Sequence, residues 1–536
     1  MSATESSSDM RQSWFPMIII GMGQAQMSLN INALPVSISG IVKDFNVAPT
    51  TVGTAIVAYS LGVAGFIMLG AKLGQLFGSL IVFRAATAAL MAAVTMVTFS
   101  PNATILIIAQ LLAGLAAAVI VPTLVVLIAN NYKGHQQAKA LGLLGSVQAM
   151  ATVTAFFMAG VIGDLLGWRY AFGIVIPFTG AVLFMSGKLK PIPPIAGTKI
   201  DLVGVALAAT AIILISFGFN NLNRWGLLVA GPNAPFTIAG LSPATLMIVI
   251  GIIGIQLFIV WTQRRQAQQL TPLLSLAVVE SREERGAVFA MSAIVILGNA
   301  MTFLTPLYIQ MVQGRSSFDT AVAMIPYQLS VFTAALFIVG LYQTLTPRQI
   351  ARAAFSVVAV GMILLAFVMH NEWSNLLVVL GLVLVGLGQG ALVTLLFNVL
   401  VTASPRELAG DVGSLRGTVN NLSAGVGTAI AGALVVGILS VNIQRGVADN
   451  PTLTPSLVSQ VDLDSVTFVS NDRLTTALSR TTATPDQLAE AIRVNADARL
   501  RALKLSFLTL GLLALGMILP SRYLPAYRPG ELPSSS

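Results

Sequence analysis

Residues 375–401 read NLLVVLGLVLVGLGQGALVTLLFNVLV, a run without a single formal charge. About 20 consecutive apolar residues in a helix cross the hydrocarbon core of a bilayer. A helix on the surface of a soluble protein keeps one polar face, and a transmembrane strand alternates in polarity. This run does neither. Its polar side chains are Asn375, Gln389, Thr394 and Asn398, all neutral. It reads as a membrane-spanning helix, and the rest of the chain decides how many others accompany it.

The chain has 536 residues, 56% hydrophobic and 9% charged, with 29 Lys and Arg against 20 Asp and Glu. Its mean hydropathy is +0.85. A soluble protein carries about 25% charged residues. The balance excludes a soluble enzyme, a disordered chain and a β-barrel, and leaves an all-α polytopic membrane protein. A sliding window places spans at 14–35, 51–71, 80–99, 103–128, 140–163, 169–186, 202–221, 243–262, 286–309, 319–341, 351–369, 375–401, 412–440 and 503–521, fourteen in all. The first follows a polar tail with Glu5 and Asp9 and lacks a cleavage site, so it is expected to stay attached.

An even number of spans puts both ends of the chain on one side. Loops on that side hold 16 Lys and Arg, and the short loops opposite hold only Lys43, Arg169, Arg224 and Arg315. Positive loops stay in the cytoplasm, so both termini are expected there, in the cell (inner or plasma) membrane. The net charge of +9 follows this asymmetry. It reports topology and affinity for an anionic leaflet, not nucleic acid. Two connections on the inner side, 187–201 with Pro191, Pro193 and Pro194, and the charged 263–285, divide the chain into 1–186, 187–285 and 286–536. Residues 441–502 form the one large extramembrane piece, expected outside as a cap or spacer. It ends in a helix start, Thr484-Pro485 with Gln487 at the capping-box position.

Chemistry on a substrate has little to work with. There is no cysteine, only His135 and His370, and no phosphate-binding Gly-Lys-Ser/Thr loop. No metal, cofactor or enzymatic activity is expected.

Several stretches resemble the major facilitator superfamily, in particular its fourteen-span drug:proton antiporter branch. Phe303, Pro306, Leu307, Tyr308, Gln310 and Gly314, followed by Ala321 and Pro326, are similar to that branch's F-L-x-P-L-Y-x-Q-x-x-x-G run. Gly167-Trp168-Arg169-Tyr170 opens span six, Ala33-Leu34-Pro35 closes span one, and glycines recur at 386, 388, 390, 425 and 427. The resemblance covers all fourteen spans. It implies two six-helix bundles, spans 1–6 and 9–14, with spans 7–8 inserted between them. It also implies a substrate site at mid-membrane between the bundles. The partners it implies are a small organic molecule, the lipid bilayer and, on one option, protons; a monomer is expected.

The chain departs from that pattern where charge is needed. The gating motif after span two, G-x-L-x-D-R-x-G-R, is here Lys72-Leu73-Gly74-Gln75-Leu76-Phe77-Gly78-Ser79. Gln75 stands in the acid's place, so most of the latch pairing is expected to be lost, with Lys72 and Arg84 as partial substitutes. Arg84 also suits snorkelling to the interface. Gln110 stands where span four of the family carries an arginine, and Gln26 where span one often carries an aspartate. Ala155-Phe156 replace the Gly-Pro kink of span five. No acid lies in the central part of any span. Asp411, at the inner start of span thirteen and five residues before Arg416, is the nearest. It is either a solvated first-turn residue favoured by the helix dipole or the titrating group of a coupled transporter.

Amides take the place of the missing carboxylates. Gln24, Gln26, Asn30, Gln110, Gln148, Asn299, Gln328 and Gln389, with Tyr308, are the substrate-cavity candidates, each weighed against a role in joining helices. Lys72, Gln75, Arg84, Asp411 and Arg416 are the gating and coupling candidates. Gln26, Asn30 and Gln110 are expected to face a central cavity. The leading functional reading is a secondary transporter exporting hydrophobic or amphipathic organic compounds. Two alternatives stay open: a facilitator or carrier of the same fold without proton coupling, and a non-transporting membrane sensor or assembly protein.

Overall fold

In the computed structural model, the structure describes residues 13–526 except 48, 316, 371–375, 405, 449, 451, 454–473, 476, 477, 480 and 482. Part of the 441–502 segment, the N-terminal tail with Glu5 and Asp9, and the C-terminal tail therefore lie outside the described residues.

Thirteen helices among the described residues are long and apolar enough to cross a membrane. Each coincides with one of the expected spans two to fourteen. Span one is the helix Phe15–Val36. It is long enough, but Gln24, Gln26, Asn30 and Asn32 lower its hydropathy below that of the others. Helix starts follow local chemistry. Ser281 with Glu284, and Thr346 with Gln349, form capping boxes at spans nine and eleven, and Pro347 occupies the first turn of the latter.

The packing repeats. Span one lies against spans four, five and six, and span nine against twelve, thirteen and fourteen; span two packs on four as ten packs on twelve; span three packs on four and six as eleven packs on twelve and fourteen. This is two six-helix bundles of the same design. They meet where span two contacts thirteen and where span five contacts ten. Span seven lies against spans two and thirteen, and span eight against seven. The inserted pair thus flanks one of the two seams. Asp201 fixes it: the carboxylate caps span seven at the Gly204 N–H (3.0 Å) and accepts from the Trp261 indole of span eight (2.9 Å).

Glycines set the tightest approach. A Cβ on Gly114 of span four would collide with the Tyr59 carbonyl of span two, and one on Gly62 would sit 3.0 Å from the Leu111 carbonyl. Spans two and four therefore touch backbone to backbone.

Four features differ from expectation. Span five lacks the Gly-Pro pair but carries a π-helical turn, Met158–Ile162, which includes Gly160 and begins two residues after Phe156. A second π turn, Tyr308–Val312, closes span nine. A short helix, Ile38–Phe45, follows span one. It is too short for a membrane window, although Ile38, Ile41, Val42 and Phe45 have helical spacing. The 441–502 segment is not wholly a separate cap. Span thirteen is one helix, Ala409–Ala448, of 40 residues, and span fourteen belongs to a helix that begins at the Thr484 capping box and runs Pro485–Gly516. Both extend far past the bilayer, and a Cβ on Gly446 would meet Val494 at 2.8 Å, so the extensions pack together.

Candidate functional site

The seam between spans two and thirteen is closed by charge at the face where the chain starts. Lys72, in the last turns of span two, places its ammonium 3.4 Å from Asp411 Oδ1 in the first turn of span thirteen. Asp411 is 0% exposed and Lys72 3% exposed. The other carboxylate oxygen accepts the Ser275 backbone N–H at 3.0 Å, and Gln75 links both ends, accepting from Lys72 at 3.0 Å and donating to Asp411 at 3.5 Å. A buried pair survives desolvation only when its remaining hydrogen-bonding capacity is met. Here a backbone amide of the 263–285 connection and a glutamine meet it.

Lys72, the first residue of the altered motif and one of its expected partial substitutes, thus finds an acid, but the acid comes from span thirteen instead of the loop after span two. One expectation is corrected: Asp411 is not a solvated first-turn residue. Sequence reasoning missed the pairing because the partners are far apart in the chain. A lysine flanked by apolar residues at a span end is the signal that asks for such a partner. Arg84 is elsewhere. It donates to the Ser186 hydroxyl (3.1 Å) and carbonyl (2.9 Å) and joins spans three and six.

The second seam closes at the same face. The Ser146 hydroxyl of span five donates to the Phe332 carbonyl of span ten (3.2 Å), and a Cβ on Gly142 would touch the Ala335 carbonyl (2.8 Å). Asn398 of span twelve reaches the Ala138 carbonyl of span five at 3.5 Å.

The amides fall into two groups. Asn30 donates to Gln110 Oε1 at 3.0 Å and accepts from its Nε2 at 3.4 Å, with both side chains fully buried between spans one and four. Gln26, also fully buried, reaches Thr87 of span three at 3.5 Å. These three are buried between helices of the first bundle; Asn30 and Gln110 satisfy each other, whereas the Gln26 amide oxygen has no hydrogen-bond partner among the described residues. Asn299 bonds its own helix at Val295, and Gln389 accepts from the Tyr327 hydroxyl and packs on Gly298. Tyr308 donates to the His370 carbonyl (2.6 Å) and accepts from Gln313 (2.8 Å), tying span nine to the end of span eleven. Gln24 and Gln328 are partly buried and Gln148 is exposed; among the described residues none of the three side-chain amides has a hydrogen-bond partner. Gln24 and Gln148 are sequence neighbours of Ala25 and Val147, which line an apolar groove of about 410 Å³ between spans one and five, together with Trp14, Met17 and Leu143.

At the opposite face, Gly167 adopts φ +107° and starts span six, placing Trp168 and Arg169 on Asp44. The indole donates to Asp44 at 3.1 Å, the Arg169 guanidinium pairs with the same oxygen and also donates to the Ser100 carbonyl at 2.8 Å. Arg169 foremost holds the Asp44 carboxyl below its usual range, with the indole assisting.

Two bundles of matching design, a seam latched at one face and an interior of amides and apolar surface describe a membrane transporter. The family model of the Major Facilitator Superfamily matches residues 18–428, and the chain belongs to that superfamily. It is 23% identical over 430 residues to the multidrug resistance protein Stp of Mycobacterium tuberculosis, covering 80% of this chain and 77% of the relative. It is 21% identical to the methylenomycin A resistance protein of Bacillus subtilis, covering 78% and 87%. Its fold is similar to that of the human organic anion transporter MFSD10, with TM-score 0.56 and 12% identity over 93% of this chain and 99% of that one.

Proposed function

We propose that this transporter exports hydrophobic or amphipathic organic compounds across the cell membrane by alternating access. Residues 1–186 and 286–536 are the two bodies that rock against each other, 187–285 is the linker with its inserted pair, and both termini are cytoplasmic. The observation that carries the reading is the buried Lys72–Asp411 pair across the seam. A buried charge pair across the seam is a device for holding that face shut until something outweighs it. The resistance functions named for Stp and the Bacillus relative support the outward direction. The groove between spans one and five supplies apolar surface for a greasy ligand, and the side-chain amides of Gln24, Gln148 and Gln328 are further candidates for contact.

Proton coupling enters through Asp411. A proton on its carboxylate cancels the attraction for Lys72 and releases the latch, so one site both takes the proton and opens the face. Expression in a host lacking its own pumps tests the function: drug accumulation should fall, and collapsing the proton gradient should restore it. Unchanged accumulation would refute export. Asp411→Asn should abolish the pH dependence of transport; pH dependence that survives would exclude Asp411. A reporter fused near residue 470 should be accessible only from outside.

A further inference from the structure

Lys72 and Asp411 neutralise each other, and Arg84 donates to Ser186. Arg416 differs. Its guanidinium lies 4.0 Å from the centroid of the Phe397 ring of span twelve, and among the described residues it makes no ion pair or hydrogen bond. Seven residues into span thirteen, it is roughly 10 Å along the helix from the start.

Its neighbours place it at the seam. A Cβ on Gly413, one turn earlier, would lie 2.9 Å from Val125 of span four, and Gly417, the next residue, abuts Ile67 of span two. On the far side of the helix Gly425 meets Phe219 of span seven. Arg416 therefore stands between the bundles, away from the inserted pair. It is only partly buried, and Asn420, one turn on along the same face, is exposed. The Lys72–Asp411–Ser275 cluster stands between Arg416 and the face where the chain starts.

A cation held at membrane depth without a counter-ion is costly. No carboxylate lies in the central part of any span to offset it. The seam is therefore electropositive, and what it attracts is an anion. A guanidinium held over an aromatic ring keeps N–H groups to donate, and a pair of these matches the two oxygens of a carboxylate. We propose that the substrate is an amphipathic organic carboxylate whose head group docks on Arg416, with Asn420 as a further donor and the apolar body against bundle side chains. This deepens the export reading by naming a substrate class, and it rests on that reading for the word substrate.

The test separates binding from transport. The full-length protein, purified in detergent, is titrated with 9-anthracenecarboxylate and with 9-anthracenemethylammonium, which share one ring system, and quenching of tryptophan fluorescence is read. The carboxylate should bind about 10-fold or more tightly than the ammonium, because charge-assisted hydrogen bonds out of water are worth at least that factor. Arg416→Gln should erase the preference and Arg416→Lys should keep part of it. The comparison in the unaltered protein requires no variant to fold. Equal affinities, preference for the ammonium, binding of neither probe, or a preference that survives Arg416→Gln would each overturn the proposal. Export is scored separately in pump-deleted cells: protection against neutral or cationic drugs, together with no carboxylate preference, would leave export standing and the anion site refuted.

Discussion

Removing the charge of Lys72 should open the face that its pair with Asp411 closes. In Lys72→Met, Asp411 keeps the Ser275 N–H at 3.0 Å and the Gln75 amide at 3.5 Å but loses its ionic partner. Breaking a buried pair by removing one member costs about 3–5 kcal/mol. Two neutral donors remain, so the lower figure applies, and about 3 kcal/mol moves a conformational equilibrium on the order of 100-fold. Asp411→Asn should be at least as severe, since Lys72 is left with Gln75 alone. The double variant removes both charges and should recover much of the loss. The chain contains no cysteine, so a single introduced thiol reports cleanly. Thr123, 1% exposed and packed beside Gly74 on span four, is suited to it. In vesicles presenting the latched face, a charged maleimide should label Thr123→Cys slowly, much faster with either single latch variant, and near the parent rate with both. Equal rates in the parent and both single variants, or fastest labelling in the double, would refute the latch.

Asn30→Ala should lower thermal stability in detergent by about 1–3 kcal/mol, because Gln110 is left buried without its partner. Replacing both amides by leucine should cost less than the sum of the single changes. Gly114→Ala should abolish accumulation of folded protein, since the new methyl enters the Tyr59 carbonyl, whereas Gly53→Ala, with open space around it, should not; size-exclusion profiles of the two decide. The Asp44–Arg169 pair is half-exposed and contributes at most about 1 kcal/mol. The folded carboxyl titrates below its unfolded value, so the contribution is complete above the unfolded pKa and is lost as pH falls through the folded one. The melting difference between the unaltered protein and Asp44→Asn should therefore hold from about pH 7 down to about pH 4 and shrink only at lower pH, as the folded carboxyl takes up its proton.

The span pattern was legible because each helix must carry its own hydropathy. Even span one, with four amides, keeps enough of it to be recognised from Ile18, Ile19 and Ile20 onward. The latch was not legible, because an ion pair has no local signature: Lys72 and Asp411 each read as boundary charges until the helices bring them together. The amides gave a mixed result. Composition marks Asn30, Gln110 and Gln26 as polar groups in need of partners, but whether the partner is a ligand or another helix is a matter of rotation about the helix axis. The length of span thirteen was hidden for a different reason. Polar residues such as Asn442, Gln444 and Arg445 end the hydropathy signal without ending the helix.

That length has a mechanical consequence. An uninterrupted 40-residue helix is about 60 Å long, roughly twice the hydrocarbon thickness it crosses. One end carries Asp411 and the other projects beyond the far face beside the helix that begins at Pro485. It is a lever with its short-range fastening at the base. A tilt of about 5° when the pair lets go carries the distal end roughly 5 Å, given that length. On the proposed latch, release at one face of the membrane would reach the other as displacement without any intervening chain of side-chain rearrangements.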